Sequence, residues 1–219
     1  MSGRPQSDVL RVRRQPTRGR YDRASVDTVL DDGLVAHVAF VEAGQPFCIP
    51  MLYARFADSL YIHGSAKSRV LRTLAEGVPA CVTVTAVDGL VLARSAFEHS
   101  ANYRSVMVLG AFAPVADDER LVALEAFTNK LVAGRWEEVR APNAKELRAT
   151  SVLALPIDAA SVKIRTGPPT DDDSPDAQLD VWAGVVPIVS AYGEPQSSPG
   201  LRDGVPLAPS VRRLTGDEK

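Results

Sequence analysis

Cysteine is scarce in this sequence, with two in 219 residues, and Cys48 and Cys81 lack the close pairing of a zinc or redox motif. A disulfide scaffold is excluded, and both thiols are expected to be reduced and in the core. Histidine is as scarce, with three residues at 37, 63 and 99, none spaced to place two ligands on one helix face. No metal site is expected. Runs of roughly 18 apolar residues are absent, and no apolar stretch follows the basic N-terminus as a signal segment would require. The chain therefore reads as cytoplasmic, with no membrane partner. Charge of one sign is lacking too: 25 Lys plus Arg stand against 27 Asp plus Glu, a net of -2, which argues against a nucleic-acid partner. There is no internal repeat, no GxGxxG and no GxxxxGK[ST] loop.

What is present is ordinary globular composition, 45% hydrophobic and 24% charged, enough for a core without staples. Charge is unevenly placed. Residues 1 to 24 hold seven Arg and two Asp, a net of +5, and residues 170 to 219 hold nine acids and four bases, a net of -5. The two tails are expected to attract each other. Composition divides the chain into a basic N-terminal arm (1–23), a folded domain (24–167) and a Pro/Asp-rich extension (168–219) whose apolar run 181–189 must pack on the barrel or on a second subunit.

The periodicity of the middle segment is strand-like, in short pieces. After a helix capped by Ser25 and ended by Gly33, strands are predicted at 34–42, 47–56, 59–64, 80–87, 90–97, 104–115, 151–157 and 161–166. Asp88-Gly89 reads as a hairpin turn, and Gly110 as a bulge or a close backbone approach. Helices are predicted over 65–77, from Asp117 or Asp118 to about 133 with Leu121, Leu124, Phe127 and Leu131 on the buried face, and around 143–148. Hairpin-joined strands with helices set apart argue for an α+β fold built on an antiparallel barrel.

Two polar constellations stand out. His63-Gly64-Ser65-Ala66-Lys67-Ser68-Arg69 lies where a strand passes into a helix, so free backbone N–H groups, two cations and two hydroxyls meet. It is either a phosphate-holding turn or a capped surface helix with solvated cations. Glu98-His99-Ser100-Ala101-Asn102-Tyr103-Arg104-Ser105 precedes a strand and suits a polar ligand, a subunit interface or a self-satisfied loop. His37, in an apolar strand, reads as a core or interface residue. No nucleophilic triad is assembled.

The segments PFCIPMLYARFADSLYIHGSAKSRVLRTL and PACVTVTAVDGLVLARSAFEHSANYRSVMVLG resemble the pyridoxamine 5'-phosphate oxidase-like flavoproteins. Within them they look like the flavin-nucleotide-binding branch, to which the nitroimidazole-resistance proteins are related. The resemblance implies a split β-barrel homodimer with FMN at the subunit interface. It implies a flavin ring against Pro50, Met51 and Leu52, and a phosphate held by Lys67, Ser68 and Arg69. Ile62 and His63 would pass beneath the ribityl chain or ring, with His63 the candidate catalytic residue. Tyr103, Arg104 and Ser105 belong to the same implied set, and Trp182 would cover the flavin from a partner subunit. The implied activity is an FMN-dependent oxidoreductase acting on a small-molecule substrate. The alternative is a non-catalytic carrier of flavin, haem or deazaflavin. The tail lacks the arginine of the true pyridoxamine oxidases, so pyridoxal-phosphate synthesis is not implied.

Overall fold

The computed structural model describes residues 3–216. In chain order the elements are β1 (Gly19–Arg20), α1 (Arg23–Asp32), β2 (Val35–Glu42), β3 (Gln45–Leu52), β4 (Ala54–Phe56) and β5 (Ser59–Ser65). There follow α2 (Arg69–Ala75), β6 (Pro79–Leu92), β7 (Ser100–Ala111), β8 (Ala113–Pro114) and α3 (Arg120–Leu131). The chain continues through α4 (Ala144–Ala149), β9 (Thr150–Pro156), β10 (Ala159–Arg165), β11 (Gly184–Pro187) and α5 (Pro209–Thr215). Two antiparallel sheets share one core. The larger runs β1-β10-β7-β6-β2-β3 with β11 also on β6, and the smaller runs β4-β5-β9-β8.

Period-two alternation builds that core. Ala36, Val38 and Phe40 of β2, Val82 and Val84 of β6, and Val106 and Val108 of β7 point inward from the large sheet. They meet Leu60 and Ile62 of β5 and Leu153 and Leu155 of β9, while Val26, Val29 and Leu30 of α1 join the same cluster. This is the α+β antiparallel split barrel expected from the sequence, and truncating any one of these buried leucines to alanine would cost about 2–5 kcal/mol.

Several local expectations are corrected. Asp88-Gly89 does not turn the chain: β6 runs on through it for 14 residues and pairs with β7 from Pro79 to Val91, with a register shift between Val87 and Gly89. The dipeptide is a bulge because the tail supplies β11 beside Leu92, Val91, Leu90 and Gly89, giving the second half of β6 a neighbour that a hairpin would not have. A side chain at Gly89 would meet Val185 Cγ1 at 3.0 Å and the Val186 carbonyl at 3.1 Å. Gly110 makes no such close approach, its nearest neighbour being Leu155 Cγ at 3.5 Å. Helix α1 is capped by Asp22, which accepts from the Ser25 backbone at 3.0 Å, rather than by Ser25. In α3 Phe127 is buried as expected, but with Ala123, while Leu121 and Leu131 are exposed.

Cys48 is exposed and Cys81 half-buried, so neither is a core thiol. Both flank Ala39 of β2 on the outer side of the sheet. His37 shares that outward side and is exposed. The arm is docked: Leu10 is buried, and β1 extends the sheet by pairing with β10. Its charges do not reach the acidic tail. Asp8 pairs with Arg11 and Arg13 inside the arm, and the tail's Asp171 and Asp172 take Arg94 instead. Among the described residues no ion pair joins the two tails. The apolar run 181–189 adds β11 to the barrel yet leaves Trp182 64% and Val189 83% exposed.

Candidate functional site

The sequence builds one polar turn at the end of β5, an inner strand of the small sheet. β5 holds His63, Gly64 and Ser65 in register with Val152, Ser151 and Thr150 of β9, and the Ala66 backbone donates to the Ala149 carbonyl at 2.9 Å. The chain then tightens: Ser68 N–H donates to Ser65 O at 2.8 Å and Lys67 N–H to Ser65 Oγ at 3.2 Å. Ser68 precedes α2 in an extended conformation, its hydroxyl not used as a cap. That leaves the hydroxyl free for a ligand.

Arg69 ties this turn to β3. Its guanidinium lies 4.7 Å from the centre of the Phe47 ring, with Nε 3.6 Å from Glu42 Oε2. Phe47 in turn stacks on Phe40 at 5.6 Å. Pro50 and Leu52 of β3 face outward and are exposed, whereas Met51 is half-buried on the opposite side, packed on the core. β3 is the edge of the large sheet, so one side of its backbone is open to pairing. Ile62 is 1% exposed and its side chain belongs to the core.

His63 is the unusual member. Its ring meets Phe127 of α3 edge-on, centroids 4.2 Å apart, and its Nδ1 is buried with no hydrogen-bond partner. Burial pulls its pKa below the ordinary value, so the imidazole is neutral near pH 7. A neutral, half-buried imidazole with an unspent nitrogen is equipped to ligate a metal or to exchange a proton with a ligand.

The remaining candidates lie elsewhere in the single chain. Tyr103, Arg104 and Ser105 sit along β7, where Ser105 Oγ accepts from Thr85 Oγ1 at 3.1 Å. Arg104 is held by Asp88 at 2.8 Å and by Asp32, and its pKa is raised by those hydrogen bonds. Trp182 lies before β11, its ring filling the space over Gly184. The structure thus brings Arg69 of the turn onto Phe47 of β3, sets the His63 ring against α3 instead, and leaves the β7 triplet and Trp182 apart from them. Sequence reasoning missed Phe127, whose contact with His63 crosses from a helix predicted only as core.

A family model described as pyridoxamine 5'-phosphate oxidase matches residues 22–164. The chain belongs to that family. Among solved structures this family member is similar to the FAD and haem binding protein from Mycobacterium smegmatis, at 46% identity and a TM-score of 0.87, covering 90% of this chain and 97% of the other. It is likewise similar to the flavocytochrome Anf3 from Azotobacter vinelandii, at 37% identity and a TM-score of 0.91, covering 97% and 99% of the two chains. A putative 5-nitroimidazole antibiotic resistance protein from Bacteroides thetaiotaomicron shares the fold, at 18% identity and a TM-score of 0.57 over 67% of this chain and 86% of that one. No functionally curated protein matches the sequence. No helix among the described residues is long and apolar enough to cross a membrane.

Proposed function

We propose that this protein binds a flavin and a haem and is an oxidoreductase acting on a small substrate, working as a homodimer in the cytoplasm. The observation that carries the reading is His63, a half-buried neutral imidazole with an unpartnered Nδ1, in a chain 46% identical to a protein that binds FAD and haem. Three histidines are available to a haem iron. His63, half-buried and braced by Phe127, is taken as the ligand; His37 is exposed on the sheet, and His99, whose Nδ1 is held by the Ser95 carbonyl at 2.9 Å with Nε2 still free among the described residues, is the second candidate.

Lys67, Ser68 and Arg69 would hold the flavin phosphate, because the turn offers two cations and a hydroxyl that its own backbone does not consume. The outward side of β3 at Pro50 and Leu52, with the backbone of Met51 between them, would carry the ring. We take the flavin as FAD on the strength of the same 46% relative, with FMN the form implied by the broader resemblance. When bound, a flavin exchanges hydride or electron pairs and a haem iron single electrons. The protein's part is to hold both, keep His63 unprotonated and exclude water.

The dimer is supported by the outer side of the large sheet, where Val35, Val41, Leu52 and Val87 are each more than 40% exposed. Apolar surface of this kind is normally covered. The cytoplasm suits two unpaired thiols, one of them exposed. The experiment is an absorption spectrum of the natively purified protein with extraction of its cofactors. Flavin bands together with a Soret band are expected, and His63→Ala should lose the Soret band while keeping the flavin. A protein that takes up neither cofactor would overturn the reading.

A further inference from the structure

A second cationic cluster lies at one end of the large sheet. β10 stops at Arg165, which is 5% exposed. Its Nη groups donate to Asn102 Oδ1 and to the carbonyls of Gly167 and Pro168, the latter two at 3.1 Å, and its Nε is buried without a partner. All of those acceptors are neutral. The buried carboxylate at this end, Asp171, is committed to Arg94, taking its backbone N–H at 2.7 Å and its Nη1 at 3.2 Å. Arg165 is therefore a buried guanidinium with no counter-charge among the described residues, an arrangement that is unfavourable until an anion arrives. Burial, and then the charge of Arg18, pulls its pKa below the ordinary value.

A cleft of about 400 Å³ opens beside it. Arg14 and Arg18 of the arm line the cleft with Arg165, and neither makes an ion pair among the described residues. They stand on either side of Gln15, whose φ of 56° turns the arm back on itself. His99 and Ser100 complete the polar wall. One carboxylate is present, Glu98, which accepts from Thr170 Oγ1 at 3.3 Å, so three guanidiniums face one acid. At the mouth stands Phe97, 90% exposed. A guanidinium cluster suits phosphate oxygens, which it meets two at a time, and an open aromatic face suits a flat ring.

We propose that this cleft binds a nucleotide, its phosphates between Arg14 and Arg18 above the charge of Arg165 and its base on Phe97. The site is distinct from the 63–69 turn. α2 leads into the Pro79 end of β6, whereas Ser100 pairs with Val91 near the other end, and a strand of 14 residues spans roughly 40 Å. The inference does not rest on the flavin and haem reading.

The test is calorimetric titration of ADP and of inorganic pyrophosphate into the protein as purified, at low salt, with and without saturating flavin. ADP is expected to bind more tightly than pyrophosphate whether or not flavin is present. Arg14→Ala with Arg18→Ala should weaken both by about tenfold or more, and Phe97→Ala should bring ADP down to the level of pyrophosphate. Arg148→Ala, an exposed arginine on α4 outside both sites, should leave both unchanged. Circular dichroism checks that the arm variants fold, and Arg18→Ala alone, expected to give part of the loss, provides a second reading. Absence of binding, equal affinity in the arginine variants, or loss of ADP binding once flavin is saturating would each overturn the proposal.

Discussion

The two cationic ends of the fold are assembled by opposite means. At one end His63, Lys67, Ser68 and Arg69 come from seven consecutive residues, and Arg69 keeps a carboxylate 3.6 Å away in Glu42. At the other end Arg14, Arg18 and Arg165 come from the first and last parts of the fold, and the buried member has no carboxylate partner among the described residues. Between them, Arg104 is held by two acids, Asp88 and Asp32. Count of arginines therefore says little about where an anion will bind. What separates the three places is whether a carboxylate has already claimed the charge.

The contrast is tested most strongly at the contiguous end. If Lys67 and Arg69 hold the flavin phosphate, replacing both with alanine removes two charge-assisted contacts worth about 3 kcal/mol together, a loss of about a hundredfold in flavin affinity. Fluorescence titration of cofactor-free protein measures it. An unchanged affinity would move the phosphate away from this turn and erase the distinction between the two ends.

The middle of the sheet supplies the control. Arg104→Met strands Asp88 and Asp32, which are 34% and 52% exposed at their side chains, so the loss is about 1–2 kcal/mol of stability rather than that of a deeply buried pair. Urea unfolding should show it, with flavin affinity unaffected. Flavin loss without loss of stability would instead return Arg104 to the cofactor-binding set implied by the sequence resemblance.

A smaller effect concerns pH. Burial lowers the His63 pKa from 6.5, so the unfolded chain takes up this proton more readily than the folded one. Stability is then full above pH 6.5, declines as pH falls from there through the lowered folded value, and stays at the reduced level below it. Cofactor-free protein carrying His63→Phe should lose this component of the pH dependence in urea titrations. If the slope persists, another group is responsible.

The same contrast explains what was legible in the sequence. The 63–69 turn could be read because a strand-to-helix junction concentrates its chemistry locally, and the inward alternation of β2, β5, β6 and β7 gave the barrel. Asp88-Gly89 misled because the ladder that overrides it comes from β11, about a hundred residues away, and no local rule anticipates a neighbour from the tail. The second cationic end was equally hidden. Asn102 and Gly167, which hold Arg165, are adjacent only after β7 and β10 pair. Leu121 and Leu131 looked buried because helical spacing identifies a face without identifying what covers it; α3 turns Ala123 and Phe127 inward instead.

The finest test of the comparison is to make the first end more like the second. Glu42 accepts from Thr73 Oγ1 and stands beside Arg69, so it competes with any anion for that guanidinium. Glu42→Gln keeps an acceptor for Thr73 and removes the negative charge. Because the Arg69 side chain is 60% exposed, solvent screens most of the interaction and the gain in flavin affinity should be about two- to threefold. The same change should leave ADP binding at the far end untouched, since exposed charges separated by several Debye lengths scarcely interact at ordinary ionic strength. A rise at both ends would mean that the two sites share one field, and a fall at the first would mean that Glu42 positions Arg69 for the phosphate rather than withholding it.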